Sequence, residues 1–331
     1  MTAPRPAGFP AGMVEFLRRA GIKETPQAMP GAGSSRRFWR APSVVLSHTP
    51  DREEFHRILS LAPPLESAGL PLTRLIAKDA ALHLLLHEDA GDVSLVRVIR
   101  DHGGPAFPAS LPAALPSGPI SDEAGAAIVS LVNVVTSVSS AERPPGLVDF
   151  GYEDLRWESW YGLTHQIWGR LQVPWSDLSV ELNDLALMVG HGPRSIMHRD
   201  FQGTNLHRMP DGSFRVLDWG GARWGPATYD LVSLLWDPYL DLPDPLRATA
   251  VDAWLRAGGP GPRALIEATA LQRLLQAAGA FAFLERHRAR PAFAPFAAPA
   301  LRAALPLAKP WPALTRVLAE ASRRVAGFEP A

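Results

Sequence analysis

The chain has 331 residues, enough for two lobes with separate cores, and its 47% hydrophobic and 20% charged content is typical of a globular enzyme. Its 33 lysines and arginines equal its 33 aspartates and glutamates, so no excess positive charge indicates a nucleic-acid partner, and the absence of cysteine excludes disulfides and thiolate chemistry. No apolar run is long enough to span a membrane, and residues 1–12 lack the apolar core of a signal peptide. We therefore expect a cytoplasmic protein that needs neither a membrane nor an obligate protein partner.

The first predicted element is a short amphipathic helix over 13–20, which a glycine ends. A glycine-rich turn follows, with Gly31, Gly33 and Ser34 at its centre. Small residues let backbone N–H groups approach phosphates closely, although a plain hairpin turn has the same appearance. No Gly-Lys-Ser/Thr sequence follows, so this turn is not a Walker loop.

The segments after the turn alternate between strand and helix patterns. Residues 36–40 and 44–46 are strand-like, and helical spacing over 51–61 begins at an aspartate that is a plausible N-cap. Two further strands are predicted over 72–77 and 82–86, the second running into a polar turn. This part of the chain therefore indicates a small sheet with one or two helices.

The middle of the chain begins with residues 102–120, whose prolines and glycines predict an irregular connection. A helix follows over 124–138, and another over 155–171 is rich in aromatic residues. That aromatic stripe suits a buried core face, or alternatively a wall that binds a sugar ring or a quaternary ammonium. Between the helices, residues 149–151 spell the Asp-Phe-Gly metal motif of kinases, which we reject because no hairpin leads into it.

The most informative stretch runs from 194 to 230. Asp200 follows a short apolar strand, Asn205 comes five residues later, and Asp218 comes thirteen residues after Asn205 at the end of a second strand. A Pro-Asp-Gly turn at 210–212 predicts a hairpin between Asn205 and Asp218. The pattern therefore predicts that Asp218 returns beside the loop of Asp200 and Asn205, with all three around one pocket.

These residue types in this order suit phosphoryl transfer, which needs positioning and charge stabilisation more than covalent chemistry. One carboxylate must accept the hydrogen bond of the incoming hydroxyl, and we assign Asp200 to this role. A second carboxylate and an amide oxygen must hold Mg²⁺, which prefers oxygen ligands, and we assign Asp218 and Asn205. The alternative, that each acid is an ordinary loop cap, is disfavoured because the elements occur in the order of the kinase motifs.

Beyond this stretch, the chain is rich in alanine and leucine. Residues placed close after Asp218, where an acceptor pocket would form, are Arg223, Trp224, Asp237 and Tyr239. Helices broken by prolines are predicted over 245–257, 262–290, 299–304 and 312–325.

Four segments together resemble the aminoglycoside phosphotransferase and choline kinase superfamily, and above all the bacterial anomeric N-acetylmuramate and N-acetylglucosamine 1-kinases. They are HRDFQGTNL from His198, GPATYDLVSLLWDPYLDL from Gly225, GAGSSRRFWR from Gly31 and LLLHEDAG from Leu84. The resemblance implies a bilobal, protein-kinase-like α+β fold. Its small N-terminal lobe (1–89) would hold an antiparallel sheet, and its larger C-terminal lobe (90–331) would be mostly helical.

The resemblance also implies ATP, Mg²⁺ and a small-molecule acceptor. Asp230 would brace the catalytic loop, as would hydrogen bonds of His198, and Glu53 or Glu54 would take the place of the glutamate that pairs with the strand lysine of kinases. The residues expected to bind the nucleotide are Gly31, Gly33, Ser34, Arg36, Arg37, Leu86 and Glu88.

The strand lysine itself is missing. The chain has three lysines, Lys23, Lys78 and Lys309, and none follows the glycine-rich turn in the strand over 44–46. We expect an arginine to supply the positive charge to the phosphates, because arginine can do so bidentately; the candidates are Arg36, Arg37 and Arg40.

Three functions remain open at this point. The first is an ATP-dependent kinase acting on an amino sugar, at the anomeric hydroxyl if the resemblance holds in detail. The second is a kinase for another alcohol, such as choline, an aminoglycoside or an amino acid. The third is a nucleotide-binding pseudokinase, which the missing lysine suggests.

Overall fold

A computed structural model describes residues 9–10, 12–29, 35–100 and 120–326 of the chain. The predicted nucleotide contacts Gly31, Gly33 and Ser34 and most of the predicted connection over 102–120 lie outside the described residues. Within them, an antiparallel sheet is formed near the N-terminus and most of the rest is helical. This confirms the α+β fold expected from the sequence.

Five strands form the main sheet, in the order β1-β2-β3-β5-β4 with antiparallel neighbours. They are β1 (Gln27–Ala28), β2 (Arg37–Ala41), β3 (Val44–His48), β4 (Leu75–Asp79) and β5 (Leu84–Glu88). Strand β3 lies in the middle, with Leu46 opposite Trp39 of β2 and Leu86 of β5.

Helices make up most of the chain beyond the sheet. They are α1 (Met13–Arg19), α2 (Arg52–Ser67), α3 (Leu95–Arg100), α4 (Asp122–Ser139), α5 (Tyr152–Gly162), α6 (Ser179–Gly190), α7 (Tyr229–Leu235), α8 (Asp244–Arg256), α9 (Arg263–His287), α10 (Ala297–Leu307) and α11 (Pro312–Ala326). In the described part of the chain, no helix has the length and apolar character needed to cross a membrane.

Helices cover both faces of the sheet. Successive side chains of a strand point to opposite faces, and β5 has leucines on both. Leu84 and Leu86 of β5 point to the face covered by α1, where they join the cluster around Met13. Leu85 points to the opposite face, in the cluster that contains Phe55 of α2. Helix α2 begins as predicted, because the Asp51 carboxylate accepts the N–H of the third residue of the helix at 2.8 Å.

Two short antiparallel strand pairs follow in the C-terminal part. Strand β6 (Arg194–Met197) pairs with β9 (Arg223–Pro226), and β7 (Leu206–Arg208) pairs with β8 (Phe214–Val216). The β7–β8 pair is the predicted hairpin, which the structure confirms. The loops that flank β6, β7 and β8 carry the residues Asp200, Asn205 and Asp218.

The predicted aromatic helix over 155–171 differs from the observed one. Helix α5 ends at Gly162. The chain continues over Leu163–Arg170 as a π-helix, in which each hydrogen bond spans five residues instead of four. Gly169 permits the wider turn, because a Cβ there would lie 2.7 Å from the Thr164 carbonyl oxygen.

Helix α9 is the centre of the helical part and lies against α5, α7 and α10. Its contact with α5 depends on two glycines. A Cβ at Gly162 would lie 2.4 Å from the Leu275 carbonyl oxygen, and a Cβ at Gly279 would lie 2.8 Å from the Gly162 Cα. The backbones of the two helices therefore meet at a distance that no larger residue allows.

We predict that Gly162→Ala destabilises the fold, because the added methyl group overlaps backbone that cannot rotate away. Overpacking of this kind costs about 1–3 kcal/mol in free energy of unfolding, measurable by urea denaturation. The matched control is Gly125→Ala in α4, where the new Cβ would meet its nearest neighbour at 3.9 Å. That variant should be neutral or up to about 1 kcal/mol more stable, and equal loss in both variants would contradict the prediction.

Candidate active site

The predicted catalytic and metal-binding residues lie where β6, β7 and β8 meet. Asp200 follows β6, Asn205 precedes β7 and Asp218 follows β8. The Asn205 side-chain amide donates to the Asp200 carbonyl oxygen at 2.9 Å, and the Leu217 N–H donates to the Asn205 carbonyl oxygen at 2.8 Å. The hairpin therefore returns Asp218 to the loop that carries the other two residues.

A buried carboxylate fixes the start of this loop. Asp230, at the start of α7, accepts the His198 N–H at 2.5 Å and the Arg199 N–H at 2.9 Å. Burial raises the pKa of Asp230, while the neighbouring His198 and the two N–H groups stabilise its charged form. The His198 ring takes no part in this brace: both of its nitrogens are buried with no hydrogen-bond partner among the described residues. The expected bracing by His198 thus holds for its backbone alone.

A second carboxylate holds the far side of the loop. Asp237 accepts the Gly203 N–H at 2.7 Å and the Tyr239 N–H at 2.9 Å, and it is almost fully buried. We predicted Asp237 as a contact in the acceptor pocket, and through these two bonds it also fixes the position of the loop.

Two residues of the site have left-handed backbone conformations that side chains other than glycine adopt rarely. Arg199 has φ 79° and Asp218 has φ 62°. Such conformations persist when the surrounding structure fixes them. At Arg199 the fixing contact is the bond to Asp230, and at Asp218 it is the bond of the preceding residue to Asn205.

A deep cleft lies between the sheet and the β7–β8 hairpin, with a volume of about 1160 Å³ including the space open to solvent. Asn205 and Asp218 lie on its hairpin side, and Val45 and Ser47 of β3 lie on its sheet side. Its lining also includes Met29, Phe38, Thr73, His87, Glu88, Ala90, Leu217 and Trp219. A cleft that combines apolar surface with convergent polar groups is typical of a ligand site.

Asp200 does not line this cleft, although the sequence predicted one pocket. It lines an adjoining cavity with Gln202, while Thr204 and Asn205 line the cleft. The folded loop between Asp200 and Asn205 therefore separates the two spaces. The Asp200 and Asp218 side chains, 48% and 60% exposed, remain accessible at the edges of these spaces.

Asp200 and the turn after Asp218 are nevertheless neighbours. A Cβ built on Gly221 would lie 3.6 Å from the Asp200 Oδ2.

Arg36, directly before β2, and Arg37 and Arg40 within it are placed differently, because successive side chains of an extended chain point to opposite faces. Arg36 lines the cleft and donates to the Asp218 carboxylate at 2.8 Å, with its guanidinium 4.9 Å from the centre of the Phe38 ring. Arg40 also lines the cleft but pairs with Asp89 at 2.9 Å. Arg37 is exposed and does not line the cleft. Of the three predicted candidates, Arg36 is the one that meets the predicted metal ligand.

The two predicted residues of β5 are placed differently from each other. Leu86 is fully buried on the α1 side of the sheet, so its side chain does not reach the cleft. Glu88 lines the cleft, where its carboxylate accepts from the Arg215 guanidinium at 2.7 Å and from the Arg74 N–H at 3.0 Å.

The sheet side of the cleft has no lysine among the residues that line it in the described part of the chain. Ser47 of β3 is buried there, and its hydroxyl has no partner among the described residues. His87 lies on the same side, its ring edge-on to Trp219 at 5.4 Å, and burial lowers the pKa of His87 to about 4. His87 is therefore neutral at physiological pH.

Helix α2 contacts the turn that follows Asp218, but not through the predicted glutamates. Neither Glu53 nor Glu54 forms an ion pair with another described residue. Instead, the Trp219 indole N–H donates to the Ile58 carbonyl oxygen at 3.1 Å, and Arg57 donates to the Gly220 carbonyl oxygen at 3.0 Å.

The cavity beside Asp200 contains a residue that sequence analysis missed. Arg273 of α9 lines it, and its guanidinium lies 3.6 Å from the Asp200 Oδ1. Of the four predicted acceptor contacts, Asp237 and Tyr239 line this cavity, and Arg223 and Trp224 do not. The only sequence signal for Arg273 was a charged residue within an apolar helical run.

The other candidates lie elsewhere. Trp157 and Trp168 of the predicted aromatic helix are 58% and 51% exposed, and neither lines the cavity beside Asp200. Asp149, of the rejected Asp-Phe-Gly motif, pairs with Arg143 and Arg194 on the surface, both at 2.8 Å.

The chain is similar to known phosphotransferases. The model of the family described as "Phosphotransferase enzyme family" matches residues 27–268. An N-acetylmuramate/N-acetylglucosamine kinase of Pseudomonas aeruginosa is 27% identical over 240 residues, a match that covers 69% of this chain and 64% of that protein. The chain thus matches somewhat less than two thirds of that relative's length.

Solved structures show the same fold at low sequence identity. The choline kinase LicA from Streptococcus pneumoniae has a TM-score of 0.57 at 11% identity, with 96% of this chain and 99% of that chain covered. A choline/ethanolamine kinase family protein from Mesorhizobium loti has a TM-score of 0.60 at 14% identity, with 95% and 97% covered. The gentamicin complex of APH(2")-IIa has a TM-score of 0.58 at 11% identity, with 92% and 99% covered.

Proposed function

Since the chain belongs to the phosphotransferase enzyme family, we propose that it is a small-molecule kinase that transfers the γ-phosphate of ATP to an amino sugar at the anomeric hydroxyl. The sugar assignment is supported by the 27% identical N-acetylmuramate/N-acetylglucosamine kinase. The observation that carries the proposal is the linked loop in which Asn205 bonds to the Asp200 backbone and to the residue before Asp218.

Asp200 is proposed as the group that receives the acceptor hydroxyl. Its carboxylate lines the cavity beside the cleft, so a hydroxyl bound there would be oriented by a hydrogen bond to it. Because the transition state of phosphoryl transfer is loose, orientation and electrostatic stabilisation supply most of the catalysis. The acceptor would enter from the cavity and the nucleotide from the cleft, meeting at the edge of the loop.

Asn205 and Asp218 are proposed to hold Mg²⁺, and their chemistry fits this ion. Because the Asn205 amide nitrogen donates to the Asp200 carbonyl oxygen, its side-chain oxygen is the atom available for a cation. An amide oxygen and a carboxylate are hard ligands of the kind that Mg²⁺ shares with nucleotide phosphates. The ion would neutralise the phosphate charge when bound.

Arg36 is proposed to take the place of the strand lysine. It pairs with Asp218, and its guanidinium lies inside the cleft with only 11% of its side chain exposed. With a cation on Asp218, this guanidinium would turn to the phosphate oxygens, for which its planar donors are well suited. Gly31, Gly33 and Ser34 remain predicted phosphate contacts. Glu88 is proposed to lie at the end of the cleft that would hold the adenine base. Leu86, whose side chain is buried on the α1 side of the sheet, stays a predicted contact of the base through its backbone.

We further propose that the lobes divide at 89 and 90 and that the enzyme acts in the cytoplasm, where ATP is available. A choline-like acceptor is the alternative supported by the similar choline kinase structures. The guanidinium of Arg273 beside Asp200 disfavours a cationic acceptor of this kind.

The function is tested by measuring ATP consumption with N-acetylglucosamine, N-acetylmuramate, choline and an aminoglycoside, and by phosphorus NMR of the product. We expect turnover with an N-acetyl sugar and a sugar 1-phosphate product. Binding of ATP and Mg²⁺ without turnover of any acceptor would support a pseudokinase instead.

We predict that Asp200→Asn lowers kcat by about 10²–10⁴-fold, because the acceptor hydroxyl loses its carboxylate partner, while ATP affinity changes little. The matched control is Asp149→Asn at the surface motif, which should keep the kcat of the wild-type enzyme. A kcat lost equally in both variants, or kept in both, would remove Asp200 from its proposed role.

We predict that Arg36→Ala weakens ATP binding by about 10- to 100-fold, since charge-assisted hydrogen bonds to the phosphates are lost. Arg37→Ala, a change at an exposed side chain that does not line the cleft, should leave the affinity unchanged. Isothermal titration calorimetry with a non-hydrolysable ATP analogue and Mg²⁺ measures both. The opposite ranking of the two variants would reassign the phosphate contact to Arg37.

A further inference from the structure

The cavity beside Asp200 contains a positive charge that the phosphotransfer chemistry proposed above does not use. In the described part of the chain, Arg273 is the one cationic side chain that lines it. The guanidinium is nine-tenths buried, so it has little contact with water. A buried charge is costly unless it is hydrogen-bonded and paired.

The hydrogen bonds of Arg273 go to neutral groups. Its Nε donates to the Ser233 hydroxyl at 3.2 Å, and its two terminal nitrogens donate to the side-chain oxygens of Gln202, at 3.2 Å, and Gln276. The distance to the Asp200 Oδ1 is 3.6 Å, which is too long for a hydrogen bond. These contacts hold the planar group rigidly against the cavity and leave its charge without a close bidentate carboxylate partner there.

The acids that line the cavity are already engaged. Asp237 accepts two backbone N–H groups, and Asp200 is the proposed partner of the reacting hydroxyl. Glu158, which lies behind Arg199 and Tyr229, accepts the Tyr229 hydroxyl at 2.9 Å and is fully buried outside this cavity. An anionic group on the bound acceptor would therefore match Arg273, whereas a cationic group would be repelled by it.

We propose that Arg273, with Gln276 beside it, recognises a carboxylate on the acceptor, and that the enzyme prefers an acidic amino sugar to its neutral counterpart. This inference rests on the proposed function. Arginine is suited to the role because its donors match the two oxygens of a carboxylate. The Gln276 side chain accepts from Arg273 through its oxygen, so its amide nitrogen can donate to the same carboxylate.

The remaining wall of the cavity suits a sugar ring. Tyr239 lines it, as do Phe281 and Leu284 from the same face of α9 as Arg273, and these three supply apolar surface. N-acetylmuramate and N-acetylglucosamine share the ring, the acetamido group and the anomeric hydroxyl, and they differ in one carboxylated lactyl ether. The pair therefore reports the contribution of the lactyl group as a whole, and the methyl ester of N-acetylmuramate separates the contribution of its carboxylate charge.

The test compares steady-state kinetics of the wild-type enzyme and Arg273→Gln on both sugars. We expect KM for N-acetylmuramate to rise about 10- to 100-fold in the variant, as for loss of charge-assisted hydrogen bonds. We expect kcat for this sugar and both constants for N-acetylglucosamine to change less than about 3-fold, since the Arg273 guanidinium lies 3.6 Å from the Asp200 Oδ1, too far to hold that carboxylate by a hydrogen bond. Arg273→Lys should recover part of the affinity for N-acetylmuramate. Arg302→Gln, at an exposed pair with Asp241, is the control and should match the wild type.

A fall in kcat of equal size for both sugars would overturn the inference and make Arg273 a positioning residue for Asp200. Because Arg273 is buried and its substitution also affects folding, the wild-type enzyme is compared on N-acetylmuramate and its methyl ester as a second test. A loss of at least 10-fold in kcat/KM with the ester supports the inference, and equal values overturn it. If the wild type phosphorylates neither sugar, the proposed function fails and the inference fails with it.

Discussion

The geometry of the site depends on one buried carboxylate. Asp230 accepts hydrogen bonds from two successive N–H groups of the catalytic loop, those of His198 and Arg199. These bonds fix the path of the chain from the end of β6 to Asp200. Hydrogen bonds to a charged group stabilise a structure by about 1.5–3 kcal/mol each, enough to hold Arg199 in its left-handed conformation. Without these two hydrogen bonds, the part of the loop to which the Asn205 side chain bonds would have no fixed position.

The helical part of the protein supports the brace from behind. Arg199 extends toward the buried Glu158 of α5, which also accepts the hydroxyl of Tyr229 next to Asp230. Burial raises the pKa of Glu158, and the nearby guanidiniums oppose this. Helix α9 carries Arg273 into the same region, and the glycine contact with α5 sets how closely the two helices approach. Packing of the helices and charge balance at the loop are thus parts of one arrangement.

The sequence predicted which residues form the site and their order along the chain. It did not predict that the folded loop divides the site into two spaces. The turn residues and the strand patterns predicted the hairpin and the return of Asp218, because both are local signals in the sequence. The sequence could not choose Arg36 over Arg37, since which face of a strand meets the cleft depends on the fold of the whole sheet. It missed Arg273, because one charge in an apolar helix is usually a surface residue, and it placed Asp200 and Asp218 around a single pocket where the structure has two adjoining spaces.

The central claim is that the cleft and the cavity meet between Asp218 and Asp200. A crystal structure with a non-hydrolysable ATP analogue, Mg²⁺ and N-acetylglucosamine tests it most directly. The account predicts a cation bound by oxygens of Asn205 and Asp218 at about 2.1 Å, with the anomeric hydroxyl against Asp200 and about 3–3.5 Å from the γ-phosphorus. A triphosphate that ends in the cleft with the loop closed between it and Asp200 would contradict the account.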